Sequence, residues 1–331
     1  MVRFATIGTS SIVDRFVEAV VLTDEASYSV TYSRTPERAR AWAAARGASR
    51  AVSSLAELAD ADDVDAVYIA SPNAFHHDQA VPLLQAGKHV LVEKSACSTA
   101  GEWRHLLQLA EQHGVLLLES VRGVFDPSWR MITSHVDSVG PVRQVDFHMA
   151  QRSRRYDNFL AGRVENIFKP EMSAGALMDL GVYCLHPLVT LFGLPTRIQA
   201  SSVLLRNGID GATALLLDYP GFTATVSASK INVDPRPSLV AGEDSSLLID
   251  AIADPTMLSL ECAHPRSRED LPVDKPRPQQ AYVLQRFAEL VDDRPAARVH
   301  QRATLDALTI MDEARRQVGL FFPADGPGRA D

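Results

Sequence analysis

The segment that most constrains this chain is its beginning, Val2 to Phe16, which reads VRFATIGTSSIVDRF. The short apolar run Phe4-Ala5-Thr6-Ile7 has the character of a strand buried on both faces. It breaks at Gly8 and is followed by Thr9, Ser10 and Ser11. Apolar residues then recur at Ile12, Val13, Phe16, Val17 and Val20, the spacing of a helix. Strand, tight turn and helix in that order aim unpaired N–H groups and the positive helix end at one point, a natural phosphate site. Gly8, Thr9, Ser10, Ser11 and Ile12 therefore read as the first turn of a dinucleotide-binding fold; an ordinary βα unit without a ligand is the other reading. Against a G-x-G-x-x-G pattern only Gly8 is in place, with Ser10 and Val13 at the other glycine positions.

Strand and helix signals alternate through the first half. Tyr28 to Ser33 is rich in strand formers. Thr35 and Pro36 open a helix as N-cap and first helical residue. Ser54 and Glu57 have the spacing of a capping box. Ala66 to Ala70 is a buried strand ending at Ser71-Pro72-Asn73, and a helix follows from about Ala74 to Ala86, stopped by Gly87. His89 to Val92 ends at Glu93-Lys94. Thr99 and Glu102 cap a further helix closed by Gly114, and Val115 to Leu118 is the next strand. Such alternation implies a doubly wound parallel sheet, which binds ligands at the carboxyl ends of its strands. The second strand ends where a fold specific for NAD carries an acid for the ribose 2′-hydroxyl. Here it reads Ser33-Arg34, with Arg38 one turn on, and guanidinium groups suit a 2′-phosphate. This favours NADP over NAD; a solvated arginine at a helix start is the alternative.

The chain's 331 residues suffice for about two domains of ~100–200 residues each. A net charge of −8 disfavours nucleic acid, which calls for a basic surface. No apolar run approaches the ~20 residues needed to span a membrane, and a secretory leader is not evident. Cys97, Cys184 and Cys262 are scattered, without metal or disulfide spacing, as suits a reducing, cytoplasmic location. His76 and His77 lack further ligands at metal spacing, so no metal is expected.

From about Val142 the pattern becomes β-rich: Val142 to Met149, Ile198 to Leu205, Thr213 to Asp218, Phe222 to Ala228 and Ser246 to Ile249. One helical stretch, about Ala176 to Phe192, interrupts it. Helices over about Gln279 to Val291 and Arg302 to Val318 finish the chain. Thr223, Thr225, Ser227 and Ser229 alternate with Ala224, Val226 and Ala228, giving a hydroxyl-rich sheet face fit for an interface between subunits or for solvent. Within Met172 to His186, Asp179 and Tyr183 are four apart and share a helix face. A polar pair on so apolar a helix either faces a cleft or is paired internally.

Taken together, five segments resemble, in order, the glucose–fructose oxidoreductase / inositol dehydrogenase / rhizopine-catabolism (Gfo/Idh/MocA) family. They are the turn at Gly8, Ser33-Arg34, Ser71-Pro72-Asn73-x-x-His76, Gly87-Lys88-His89-Val90-Leu91-Val92-Glu93-Lys94, and Gly175 to Tyr183. The tyrosine-bearing version is most similar to the branch with dimeric dihydrodiol and xylose dehydrogenases. The resemblance implies an α/β chain: an N-terminal Rossmann-type parallel sheet over residues 1–121 and an α+β domain with a large, mostly antiparallel open sheet over 122–323. Residues 324–331 are expected to form a flexible tail.

By the same resemblance Lys94 touches nicotinamide ribose and substrate, Tyr183 donates and accepts the proton, and Asp179 orients the substrate. Glu93, Asn73, Ser71, Pro72 and His76 belong with the cofactor pocket. Three departures stand out: Ser95 in place of a proline after Lys94, Asp126-Pro127 in place of His-Pro, and Ser10 in place of a glycine. A neighbouring ammonium such as Lys94 favours the phenolate of Tyr183 and brings it toward useful acid–base chemistry. The expectation is an NAD(P)(H)-dependent oxidoreductase, NADP-preferring, acting on a sugar, cyclic polyol or related carbonyl, and assembled as a homodimer or homotetramer through its C-terminal sheet. The alternatives are a reductase of a dihydrodiol or dicarbonyl, and a catalytically silent dinucleotide-binding regulator. Arg152 to Arg155 is a candidate for holding an acidic substrate, or is simply solvated.

Overall fold

The computed structural model describes residues 1–326. The chain divides into two compact units, and a single cut near residue 121 does not separate them. Met1–Arg122 is joined by Arg277–Leu305, while Gly123–Pro276 is joined by the chain from Asp306 on.

In the first unit β1 (Val2–Ile7), α1 (Ser11–Val21), β2 (Ala26–Tyr32), α2 (Pro36–Arg46), β3 (Arg50–Val52), α3 (Leu55–Ala59) and β4 (Ala66–Ile69) alternate as the pattern requires. They are followed by α4 (His76–Gln85), β5 (His89–Glu93), α5 (Ala100–Gln112) and β6 (Leu117–Ser120). The strands form a parallel six-stranded sheet in the order β3-β2-β1-β4-β5-β6. Strand order therefore reverses between β1 and β4, the position at which doubly wound sheets open a crevice. Val13, Phe16, Val17 and Val20 bury one stripe of α1, as their helical spacing dictates. Phe16 stacks on Tyr68 at 4.0 Å, and its edge meets Phe4 at 5.3 Å. Burying each such ring stabilises the fold by about 1.5–3 kcal/mol. The Ser54–Glu57 capping box does not form: Ser54 makes no side-chain cap, and Glu57 lies 3.9 Å from Arg50. Thr99 does cap α5, accepting the Glu102 amide at 3.1 Å.

The second unit holds α6 (Pro127–Val136), β7 (Val142–Ala150), α7 (Tyr156–Leu160), α8 (Val182–Phe192), β8 (Arg197–Leu204), β9 (Asp210–Tyr219) and β10 (Phe222–Ser229). Then come β11 (Ser238–Gly242), β12 (Ser245–Ile249), β13 (Met257–Cys262) and β14 (Ser267–Pro272); α9 (Gln279–Asp292) belongs to the first unit, and α10 (Arg294–Val318) begins in the first and ends in the second. The eight strands run β14-β13-β12-β11-β7-β10-β9-β8, antiparallel except where β7 meets β10. Ala224, Val226 and Ala228 are buried on one face of β10, and α8 packs there against β7 and β10. Thr223, Thr225 and Ser227 lie on the other face, where Thr225 donates to Asp146 at 2.9 Å.

Pro170–Phe192 is long and apolar enough to cross a membrane by length and composition, unlike the sequence expectation. Yet 78% of its most apolar window is buried within the chain, which is the pattern of a core helix. Of the expected tail, 327–331 lie outside the described residues. Asp325 is not loose: it pairs with the buried Arg315 at 2.6 Å and accepts the Phe322 amide at 2.7 Å.

Candidate active site

In the first unit, the residues singled out from sequence gather at the carboxyl ends of β1, β2, β4 and β5, neighbours in the sheet. Gly8 has φ +121°, and a Cβ there would stand 2.8 Å from the Ala70 carbonyl oxygen, so only glycine fits between β1 and β4. Ser10, the N-cap of α1, is extended and makes no capping hydrogen bond with its side chain; Ser10 and Ser11 are exposed. The Val13 and Asp14 amides bond the Ser10 carbonyl at 2.9 and 3.2 Å, and the amides before them lie ahead of the helical ladder, the usual condition of a helix start. Arg38 reaches across from α2 to the Thr9 carbonyl at 3.3 Å. Arg34 lies 5.8 Å from the Phe75 ring centre, and Ser33 accepts the Thr35 amide at 3.5 Å. Arg38 therefore borders the opening turn, and Ser33-Arg34 after β2 carries no acid. Ser71 donates to Gln79 at 2.7 Å, Pro72 is extended, and Asn73 begins a short 3-10 turn.

His76 and Glu93 are buried. Glu93 accepts the Tyr68 hydroxyl at 2.6 Å. The His76 ring joins two segments, with Nε2 2.8 Å from the Ser71 carbonyl oxygen and Nδ1 3.1 and 3.2 Å from those of Ser95 and Ala96. Burial pushes its pKa down, and a neutral ring donates from one nitrogen only. The Lys94–Ser95 peptide is cis although serine replaces the family's proline. Glu119 faces the same turn and accepts the Ala96 amide at 2.8 Å.

In the second unit the chain turns left-handed at Ser173 and Gly175 before it enters the helix. A Cβ on Gly175 would fall 1.8 Å from Asp210 Oδ1, so glycine is required there. Asp210 is buried and accepts the Leu177 amide at 2.7 Å and the Thr213 hydroxyl at 2.8 Å, capping the helix from another strand. Burial raises its carboxyl to about 6. Leu177–Gly181 is a π-helical turn, a wide form often found at functional positions, and it carries Asp179. Tyr183 follows in the first turn of α8 and is 4% exposed. Ala176 and Leu180 pack on Ala228, fixing this turn against β10.

Asp179 is ion-paired with Lys230, just past β10. The lysine side chain is 3% exposed and the aspartate 33%. Sequence reading offered internal pairing for Asp179 and did not find the partner, whose signal was a lone lysine ending a strand of small hydroxyls. Glu119 escaped for a similar reason, although it is the penultimate residue of the parallel strand β6. Arg152 pairs with Asp157, and Arg155 with Glu165 at 3.0 Å, so these two loop arginines are engaged locally. His77 contacts His105 at 2.9 Å. Among the described residues no group of three or more histidines, cysteines or acids is placed to hold a metal.

Residues 2–120 match the model of the oxidoreductase family with an NAD-binding Rossmann fold, and 134–247 match the GFO/IDH/MocA C-terminal domain. Scyllo-inositol 2-dehydrogenase (NADP(+)) IolU of Bacillus subtilis is 39% identical over 98% of this chain and 99% of its own length. The chain belongs to the GFO/IDH/MocA family. An uncharacterized oxidoreductase of Escherichia coli, YgjR, is 35% identical over 98% of the chain and 99% of its own. The 3-ketoreductase KijD10 of Actinomadura kijaniata, solved with NADP, shares the fold with a TM-score of 0.81 at 22% identity, over 96% of this chain and 97% of that one.

As a GFO/IDH/MocA protein the chain is an NAD(P)-dependent oxidoreductase. Its residues fit a dinucleotide: the bare Gly8 backbone and the exposed start of α1 suit a pyrophosphate, and Arg34 stands where a ribose-binding acid would otherwise be.

Proposed function

We propose that this protein is an NADP(H)-preferring, cytoplasmic dehydrogenase of a cyclic polyol or sugar, with scyllo-inositol as the substrate to try first. The name of a relative similar over the full length supports that choice. The observation that carries the reading is the ion pair between the buried Lys230 and Asp179, one turn ahead of Tyr183. Burying the lysine is costly and adds little to packing, while the acid it holds stays open to water, which favours a chemical use for the pair.

Nicotinamide, when bound, supplies hydride chemistry; the protein's part is to position the substrate carbon and manage one proton. In oxidation Tyr183 accepts the hydroxyl proton and Lys94 steadies the developing alkoxide by its charge. Asp179, oriented by its ion pair with Lys230, accepts a hydrogen bond from a neighbouring substrate hydroxyl. Arg34 and Arg38 supply the 2′-phosphate contacts, and Ser33 a hydroxyl donor. The open face of the second sheet, with Thr223, Thr225 and Ser227, pairs two subunits.

Initial rates with scyllo-inositol, other inositols, aldoses and diketones, each with NADP(H) and NAD(H), test this reading. NADP+-dependent oxidation of an inositol or sugar is expected. NADP(H) binding without turnover of any of these compounds would instead establish a silent binding protein.

A further inference from the structure

Glu119 is the penultimate residue of β6, a buried acid after an apolar run. Both of its oxygens are engaged, Oε1 by the Ala96 amide at 2.8 Å and Oε2 by the Thr304 hydroxyl at 2.8 Å. Ala96 lies two residues past Lys94, in the turn that His76 grips from α4 through the Ser95 and Ala96 carbonyls. The turn is therefore held by side chains from two elements, and the one on β6 is an ionisable group. A neutral acceptor would hold the Ala96 amide at less desolvation cost, so the acid has a use beyond that hydrogen bond. Glu93 on β5 opposes ionisation of Glu119, and Lys94 favours it. His76 on α4 is driven toward neutrality by burial, and the contact from α10 is the uncharged Thr304. Burial brings the Glu119 carboxyl up to about 7.

We propose that Glu119 is the positioning residue of the Lys94 turn: it fixes the turn through Ala96, and its negative charge supports the ammonium form of Lys94. The inference rests on the reading of Lys94 as the group that steadies the substrate oxygen. With five lysines in the chain, isotope-labelled reductive methylation gives a simple spectrum, in which Lys94 is identified by its loss in Lys94→Arg. In Glu119→Gln the Lys94 titration midpoint is expected to fall by on the order of one pH unit while the other lysines stay in place. The pH profile of kcat for scyllo-inositol with NADP+ should shift with it, and KM for NADP+ should stay within about twofold, since the charge acts on Lys94 rather than on cofactor binding.

In the unsubstituted protein the Lys94 signal should also show a second inflection near neutral pH, a readout that needs no variant. Absence of that inflection, or an unchanged Lys94 midpoint in folded Glu119→Gln, overturns the proposal. If Lys94→Ala retains full turnover, the role given to Lys94 fails, and the titration still reports separately whether Glu119 acts on it.

Discussion

Lys230 lies buried behind Asp179 and neutralises it, so the acid on the π-helical turn is one half of an ion pair. Removing the cation takes from the Asp179 carboxylate its ion-pair partner. Lys230→Ala is expected to cost about 1–3 kcal/mol, below the ~3–5 kcal/mol of a fully buried pair because Asp179 is open to water. A double-mutant cycle with Asp179→Ala in urea measures the coupling, and additive losses would show that the pair contributes nothing.

Tyr183→Phe and Lys94→Ala are each expected to lower kcat by on the order of a hundredfold or more, the usual scale of a lost proton-transfer or charge-stabilising group. NADPH affinity, read by fluorescence titration, should change little. Near-normal turnover in both variants removes the assignment.

Arg34→Ala should weaken NADPH far more than NADH. A desolvated charge-assisted bond to a phosphate is worth about 1.5–3 kcal/mol, a tenfold or greater effect on Kd. Equal losses for both cofactors would assign Arg34 to the protein surface alone.

Gly175→Ala introduces a methyl into space held by Asp210 at a left-handed backbone position. Strain alone costs about 1–3 kcal/mol, and displacing Asp210 uncaps Leu177 as well. Chemical unfolding should show a lowered midpoint, and turnover should fall with it. An unchanged midpoint would mean that the turn tolerates another path.

Glu119 sets a pH dependence of stability. Its folded value of about 7 exceeds the ordinary 4.5 because burial favours the protonated form. Its stabilising contribution is therefore complete below about 4.5 and lost as pH rises through 7. Asp210, at about 6 against 3.8, acts in the same direction at lower pH. Relative to Glu119→Gln, the parent protein should lose up to about 3 kcal/mol of unfolding free energy between pH 5 and 8. Parallel pH curves for the two proteins would contradict this.

The parallel sheet was legible because strand and helix signals alternate and most of its strands end an apolar run at a polar residue, and those ends give the cofactor side of the site. Gly8, Ser71 and Lys94 follow from that rule, and Arg34 follows from the strand formers of β2. The second sheet was harder to read. β14 reads Ser-Arg-Glu-Asp-Leu-Pro, with no apolar alternation, and is held at the edge by backbone pairing and by Arg268 with Glu261 and Asp270. α6 was missed although Asp126 caps it through the Ser128 amide at 2.8 Å, with Pro127 in its first turn. α10 begins at Arg294 rather than Arg302, after Asp293, whose carboxylate accepts the Ala296 amide at 3.3 Å. Lys230 and Glu119 are tertiary partners, and no local spacing announces them.

Phe287 on α9 meets Phe4 of β1 at 5.4 Å, and Thr304 on α10 binds Glu119 on β6. The opening sheet is thus completed by residues far along the chain. During synthesis its first 122 residues leave the ribosome well before Arg277–Leu305 exists to cover them. A fragment ended near residue 121 would expose Phe4 and strand Glu119, and should need chaperones or aggregate where the whole chain does not.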